Sequence, residues 1–224
     1  MDGVEFRMKS ASELTYLLVK LIVLLGFTQV HGSKSRHVTC GTVLKLLNAD
    51  YDVRLHSHDV KYGSGSGQQS VTGTEIKEDV NSHWVIKAAA GKTCERGQPI
   101  QCGYTIRLEH LNTKKNLHSH YFSSPLSGNQ EISCYGNDGV GDSGDHWEVI
   151  CSGDEWLRDS SVKFRHVDTG SYLGVSGRTF GRPINGQMEV VGFTNPQHGS
   201  TWKAAEGLFI MPKESKAYYP HTEL

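Results

Sequence analysis

The sequence predicts an all-β fold made of three tandem copies of one four-stranded unit. One motif recurs at near-constant spacing. Leu55-His56-Ser57-His58 starts 29 residues before Trp84, Leu117-His118-Ser119-His120 starts 30 before Trp147, and Leu173-Gly174-Val175-Ser176 starts 29 before Trp202. Self-similarity at fixed spacing marks one supersecondary unit copied along the chain. Short runs alternate apolar and polar side chains, the signature of half-buried strands, and no helix-length amphipathic pattern follows the N-terminal segment. The 25 glycines suit tight turns between short strands. Three copies are too few for a propeller, and each is too long for one solenoid turn. Closing three units around a pseudo-threefold axis removes exposed sheet edges. The expectation is a β-trefoil of about twelve strands, with Leu55, Leu117, Leu173, Trp84, Trp147 and Trp202 in a shared core.

The chain opens with Arg7 and Lys9, then an apolar run from Leu17 to Phe27, then Val30-His31-Gly32. That order describes a secretory signal peptide over residues 1–32, cut after Gly32. The apolar run is roughly half the ~20 residues a spanning helix needs. Lys20 interrupts it, and no later run is long enough, so membrane insertion is not expected. Cleavage leaves 192 of the 224 residues, enough for one well-buried domain over 33–212. A net charge of −1 with no basic run argues against a nucleic-acid partner. The chain has no Asn-x-Ser/Thr sequon, so N-glycosylation is not expected.

The repeats cover about 40–91, 102–153 and 160–207. Each opens on an alternating strand: Thr42 to Leu46, Thr105 to Leu108, Val162 to Arg165. A turn follows (Asn48-Ala49-Asp50, Asn112-Thr113-Lys114, Asp168-Thr169-Gly170), then the Leu-His-Ser-His strand or its third-copy counterpart. Glycine- and serine-rich loops come next. Gly63-Ser64-Gly65-Ser66-Gly67 is flexible by composition, and with no following Lys-Ser/Thr it is not a phosphate cradle. A third strand (Ser70 to Gly73, Glu131 to Cys134, Glu189 to Gly192) and the tryptophan strand complete the unit.

Five cysteines enter an oxidising compartment. Cys40 and Cys102 each precede the leucine of their repeat by 15 residues, and Cys94 and Cys151 follow the closing tryptophans. The favoured pairing is Cys40–Cys94 and Cys102–Cys151, each stapling one repeat. A local Cys94–Cys102 bridge is the rival, and spacing leaves the choice open. Cys134 is left over and reads as a buried free thiol beside Ile132, with an intermolecular or reactive role as the alternative.

The most suggestive polar residues are His56, His58, His118 and His120. Each His-x-His pair shares one strand face and can chelate zinc or copper. The pairs lie in different repeats with no obvious third ligand, so no metal is assigned. A structural role competes with a surface for a partner or sugar. Trp156, outside the repeats, is a candidate surface anchor or else a cover for the bottom of the barrel. Asn137, Asp138, Asp142 and Asp145 make an acidic loop without EF-hand spacing, read as a solvated turn. Gly141-Asp142-Ser143-Gly144 imitates a serine-protease nucleophile loop but lacks the following glycine and a histidine context. Ser57, His58 and Asp59 form no triad, because adjacent strand residues point to opposite faces. No catalytic residues are assigned and no cofactor is expected. The triplets closing the repeats keep the tryptophan of trefoil-lectin Gln-x-Trp motifs but not the glutamine, so these tryptophans read as core.

The chain ends in His221-Thr222-Glu223-Leu224, similar to the Lys/His-Asp-Glu-Leu signals read by an endoplasmic-reticulum (ER) retrieval receptor. Combined with a signal peptide it predicts an ER-lumenal protein, with some secretion since threonine replaces aspartate. Residues 213–224 are read as a tail carrying this signal.

The paired Leu-His-Ser-His strands, the loop Ser124 to Glu131 and the tryptophan-closed units resemble the stromal cell-derived factor 2 family, whose three repeats are of the MIR type. The resemblance covers 38–212. It implies a non-enzymatic partner of an ER J-domain co-chaperone and the lumenal Hsp70, one that keeps unfolded secretory proteins soluble. MIR repeats also occur in protein O-mannosyltransferases and inositol trisphosphate receptors, which keeps a glycan-binding module as the alternative. The Gly-Val-Ser of the third copy departs from the pattern and breaks the threefold symmetry of any histidine surface.

Overall fold

The computed structural model describes residues 36–184 and 186–212. The signal segment 1–32 and the tail with His221, Thr222, Glu223 and Leu224 lie outside the described residues. Unit one contributes β1 (Val43–Asn48), β2 (Arg54–Lys61), β3 (Gln69–Thr74) and β4 (Trp84–Ala88). Unit two contributes β5 (Thr105–His110), β6 (Asn116–Ser123), β7 (Gln130–Tyr135) and β8 (Trp147–Cys151). Unit three contributes β9 (Val162–His166), β10 (Tyr172–Thr179), β11 (Met188–Phe193) and β12 (Trp202–Leu208).

The first and last strands of each unit form a closed six-stranded antiparallel barrel. Its circuit runs β1–β4–β5–β8–β9–β12 and back to β1. The middle strands form the hairpins β2–β3, β6–β7 and β10–β11. Strands β3, β7 and β11 pair with one another in all three combinations, so the hairpins close over one end of the barrel. This is the β-trefoil. Full closure leaves the barrel no free sheet edge.

The leucine–tryptophan spacing has a direct cause. Trp84, Trp147 and Trp202 are fully buried, and each indole Nε1 donates to the carbonyl of its own repeat's leucine. The distances to Leu55, Leu117 and Leu173 are 2.8, 2.9 and 2.9 Å. A buried indole needs a partner for its N–H, and a fixed strand–loop–strand path supplies the same carbonyl three times.

A second set of residues links neighbouring units. His110 and His166, at the ends of β5 and β9, donate from Nε2 to Asn81 O and Gly144 O in the turn before the preceding unit's tryptophan. Asn48, at the end of β1, donates from Nδ2 to Gly199 O in the corresponding turn of unit three. In the two histidines, Nδ1 is paired with Thr113 and Thr169. Those threonines accept from Gln69 and Gln130 of the preceding unit's hairpin.

Of the two readings of Trp156, the surface anchor is overturned and the buried cover holds. The residue is fully buried and meets Phe164 edge-on at a centroid distance of 5.4 Å. Its backbone bridges Val38 and Ile100, which seats it in the segments that cover the core. The Gly63–Gly67 loop also differs from expectation. The Ser66 amide and hydroxyl donate to the Glu131 carboxylate, and a Cβ at Gly65 would meet Glu131 Oε2 at 2.0 Å. Gly65 thus serves close docking, while Gly63 and Gly67 have open space beside them.

Disulfides join Cys40 to Cys94 and Cys102 to Cys151. Cys134 is a buried free thiol, and burial pushes it up to about 12. It occupies the fifth position of β7, where β3 and β11 carry Gly73 and Gly192. Replacing both Cys102 and Cys151 by serine opens a loop with a sequence separation of 49 residues. The chain-entropy term for such a loop is on the order of 4 kcal/mol, and a loss approaching that value is expected in urea denaturation.

Candidate functional site

The Leu-His-Ser-His strands converge on the turns that precede the tryptophans. Five residues before Trp84 and Trp147 stand Asp79 and Asp142; two residues before them stand Ser82 and Asp145. In unit one, His56 Nδ1 is paired with Asp79 Oδ2 at 2.8 Å and His56 Nε2 with His58 Nδ1 at 2.7 Å. The Ser82 hydroxyl donates to the same Asp79 oxygen. Burial works against ionisation of Asp79, but the hydrogen bonds from Ser82 and His56 outweigh it and hold the carboxyl below its ordinary range. Burial, then the neighbouring His56, lowers His58.

Unit two rearranges the same parts. His118 Nδ1 lies 2.9 Å from Asp145 Oδ1, and Asn116 Nδ2 donates to Asp145 Oδ2 at 2.9 Å. Asp142 turns outward: its Oδ1 accepts from the Gly144 amide, and its Oδ2 lies 4.0 Å from His120 Nε2. The His118 and His120 rings meet edge-on at 4.4 Å, and Tyr135 lies against His118 at 4.7 Å.

Unit three has none of this. A Cβ at Gly174 would meet the Phe193 ring at 2.5 Å and Gly199 O at 2.9 Å, so the position of His56 and His118 is sterically closed. Gln197 stands where the other units have Asp79 and Asp142.

The expected histidine surface is therefore only partly a surface. His56 and His118 are buried, because each must reach an aspartate behind its strand; His58 and His120 are both half-buried. Aspartates 79, 142 and 145 are the third partners the pairs lacked in the sequence. An acidic residue five positions before the tryptophan occurs only in the two units that carry His-x-His, and that coincidence was the readable signal. The acidic loop is not simply solvated either, since Asp145 is fully buried.

Surface cavities lie between adjacent units. One of about 450 Å³ is lined by Lys61, Gln68, Gln69, Lys115, Tyr135 and Asp142. A second of about 440 Å³ is lined by Tyr121, Phe122, Asn129, Gln130 and Thr169 among others.

Residues 45–156 match the MIR domain model, which spans most of unit one and all of unit two. The chain is 53% identical over 209 residues to human stromal cell-derived factor 2, covering 92% of this chain and 99% of that one. The chain belongs to the stromal cell-derived factor 2 family. The crystal structure of the stromal cell-derived factor 2-like protein from Arabidopsis thaliana superposes with a TM-score of 0.77 at 45% identity, covering 80% of this chain and 99% of that one. The S. cerevisiae protein O-mannosyltransferase complex shares the fold at a TM-score of 0.70 and 23% identity, over 91% of this chain and 33% of that one. The third unit, which lacks the His-x-His pair, lies outside the segment that the MIR model matches.

Proposed function

We propose that the protein is a non-enzymatic chaperone cofactor of the ER lumen, which associates with a J-domain co-chaperone and the lumenal Hsp70. The observation that carries this reading is the near-full-length similarity to stromal cell-derived factor 2. The signal-like N-terminus and the His221-Thr222-Glu223-Leu224 ending are consistent with ER entry and retrieval. In this role the trefoil binds the co-chaperone and holds unfolded secretory clients soluble for the Hsp70.

The test immobilises the chain without residues 1–32 and exposes it to ER lumenal extract, with and without glycosidase treatment. Retention of a J-domain protein and Hsp70 in both conditions is the expected result. Purified co-chaperone and trefoil together are then expected to suppress client aggregation more than either alone. Retention mainly of glycoproteins, released by deglycosylation, would replace this reading by a lectin.

A glycan-binding second reading has one observation of its own. Tyr121 is 82% exposed and Phe122 46% exposed, beside Asn129, Gln130 and Thr169 in the cavity between units two and three. Exposed aromatic faces next to amide and hydroxyl groups suit a sugar ring. Tyr121→Ala is expected to abolish any mannoside binding if that reading holds.

A further inference from the structure

We propose that unit two carries a site for one divalent transition-metal ion of the zinc class, built by His118, His120 and Asp142. One ligand atom from each residue lies within 4.8 Å of the others. His120 Nε2 lies 4.0 Å from Asp142 Oδ2. Two ligand atoms on one tetrahedral zinc stand about 3.3–3.5 Å apart, from bond lengths of about 2.0–2.2 Å. The side chains of His120 and Asp142 are 40% and 45% exposed, and Asp142 Oδ2 faces His120 while its Oδ1 is held by the Gly144 amide.

The surroundings of His118 carry the proposal beyond proximity. Asp145 is fully buried and pairs with His118 Nδ1, while Asn116 holds the other carboxylate oxygen. A carboxylate behind a histidine fixes its ring and tautomer for metal binding through the other nitrogen. That other nitrogen, His118 Nε2, is buried and has no hydrogen-bond partner. Leaving such an atom unpaired costs about 1–3 kcal/mol, which a metal–nitrogen bond removes.

Unit one is the internal control. There the same residue types close on themselves: His56 uses one nitrogen on Asp79 and the other on His58. Ser82 stands where unit two has Asp145, so unit one has one carboxylate and no buried unpartnered histidine nitrogen. Replacing that serine by a second carboxylate frees Asp142 to turn toward His120 and adds a negative charge that a divalent cation offsets. Two imidazoles with a carboxylate favour zinc over calcium, which takes six to eight oxygens. The bound ion ties β6 to the turn before Trp147, next to the cavity between units one and two that Asp142 also lines.

The experiment uses the chain without residues 1–32 and without an added histidine tag, stripped with chelator. It is titrated with ZnCl₂, and with CoCl₂ as a spectroscopic probe. One equivalent of zinc, a Co²⁺ d–d band displaced by zinc, a higher Tm and no competition from calcium are expected. Asp142→Asn and His120→Gln lie on exposed side chains that leave the core untouched, and each is expected to weaken zinc binding at least tenfold. His58→Gln, in unit one, is expected to leave it unchanged. Absence of zinc binding at 100 µM free ion overturns the proposal. So does zinc binding that survives Asp142→Asn, or that His58→Gln weakens equally.

Discussion

Trp147→Ala is expected to cost about 4–8 kcal/mol and leave the chain largely unfolded at 37 °C. Two effects add. Removing a fully buried tryptophan side chain leaves a cavity worth about 3–5 kcal/mol. It also strips the Leu117 carbonyl of its indole donor, held at 2.9 Å, which costs about 1–3 kcal/mol more. Against a typical total of about 5–15 kcal/mol, little remains. The loss extends beyond one repeat, since Trp147 packs against His166 of unit three at 4.8 Å. Trp147→Phe keeps most of the volume and loses the N–H, so it is expected to retain the fold with a smaller loss. Urea denaturation followed by tryptophan fluorescence and near-UV circular dichroism separates the two variants. A cost below about 1 kcal/mol for the alanine variant would show that the tryptophans are not the joints of the repeats.

Mild acid is expected to destabilise the fold well before the carboxylates titrate, and His110 is the main cause. Burial pulls His110 from 6.5 down to about 4. Its Nε2–H already serves the Asn81 carbonyl, and Nδ1 accepts from the Thr113 amide, so a second ring proton would meet a donor. The unfolded chain takes up this proton near pH 6.5, while the folded chain resists until about pH 4. Between those values the unfolded state binds more protons, so stability falls as pH falls. The loss is on the order of 3 kcal/mol and is complete below about pH 4. His166, in the same setting on Gly144 and Thr169, is lowered by burial and acts in the same direction. His110→Asn borrows the residue that unit one uses at this position. It is expected to halve the stability lost between pH 7 and pH 4.5, measured by urea midpoints across pH. An unchanged acid sensitivity would move the effect to other groups.

Spacing and period alone determined the repeats, the strand order within each and the six core residues at leucine and tryptophan. These are local properties. Alternation along a strand reports which face is buried, and near-constant spacings give the same indole-to-carbonyl bond three times. The trefoil follows because three similar half-buried units have few ways to remove their edges.

The partners of the buried polar groups were decided only by the tertiary structure. Local period says that His56 and His58 share a face, not that Asp79, 23 residues away, closes over it. It places Glu131 on a strand, not against Ser66, 65 residues earlier. Trp156, outside the repeats, left two readings open, surface anchor or barrel cover, and the chain before Cys40 and the segment at Ile100 decide for burial. In each case burial is set by a segment distant in sequence. A hydrogen bond or a covered ring needs that segment in place, and strand periodicity carries no record of which loop arrives.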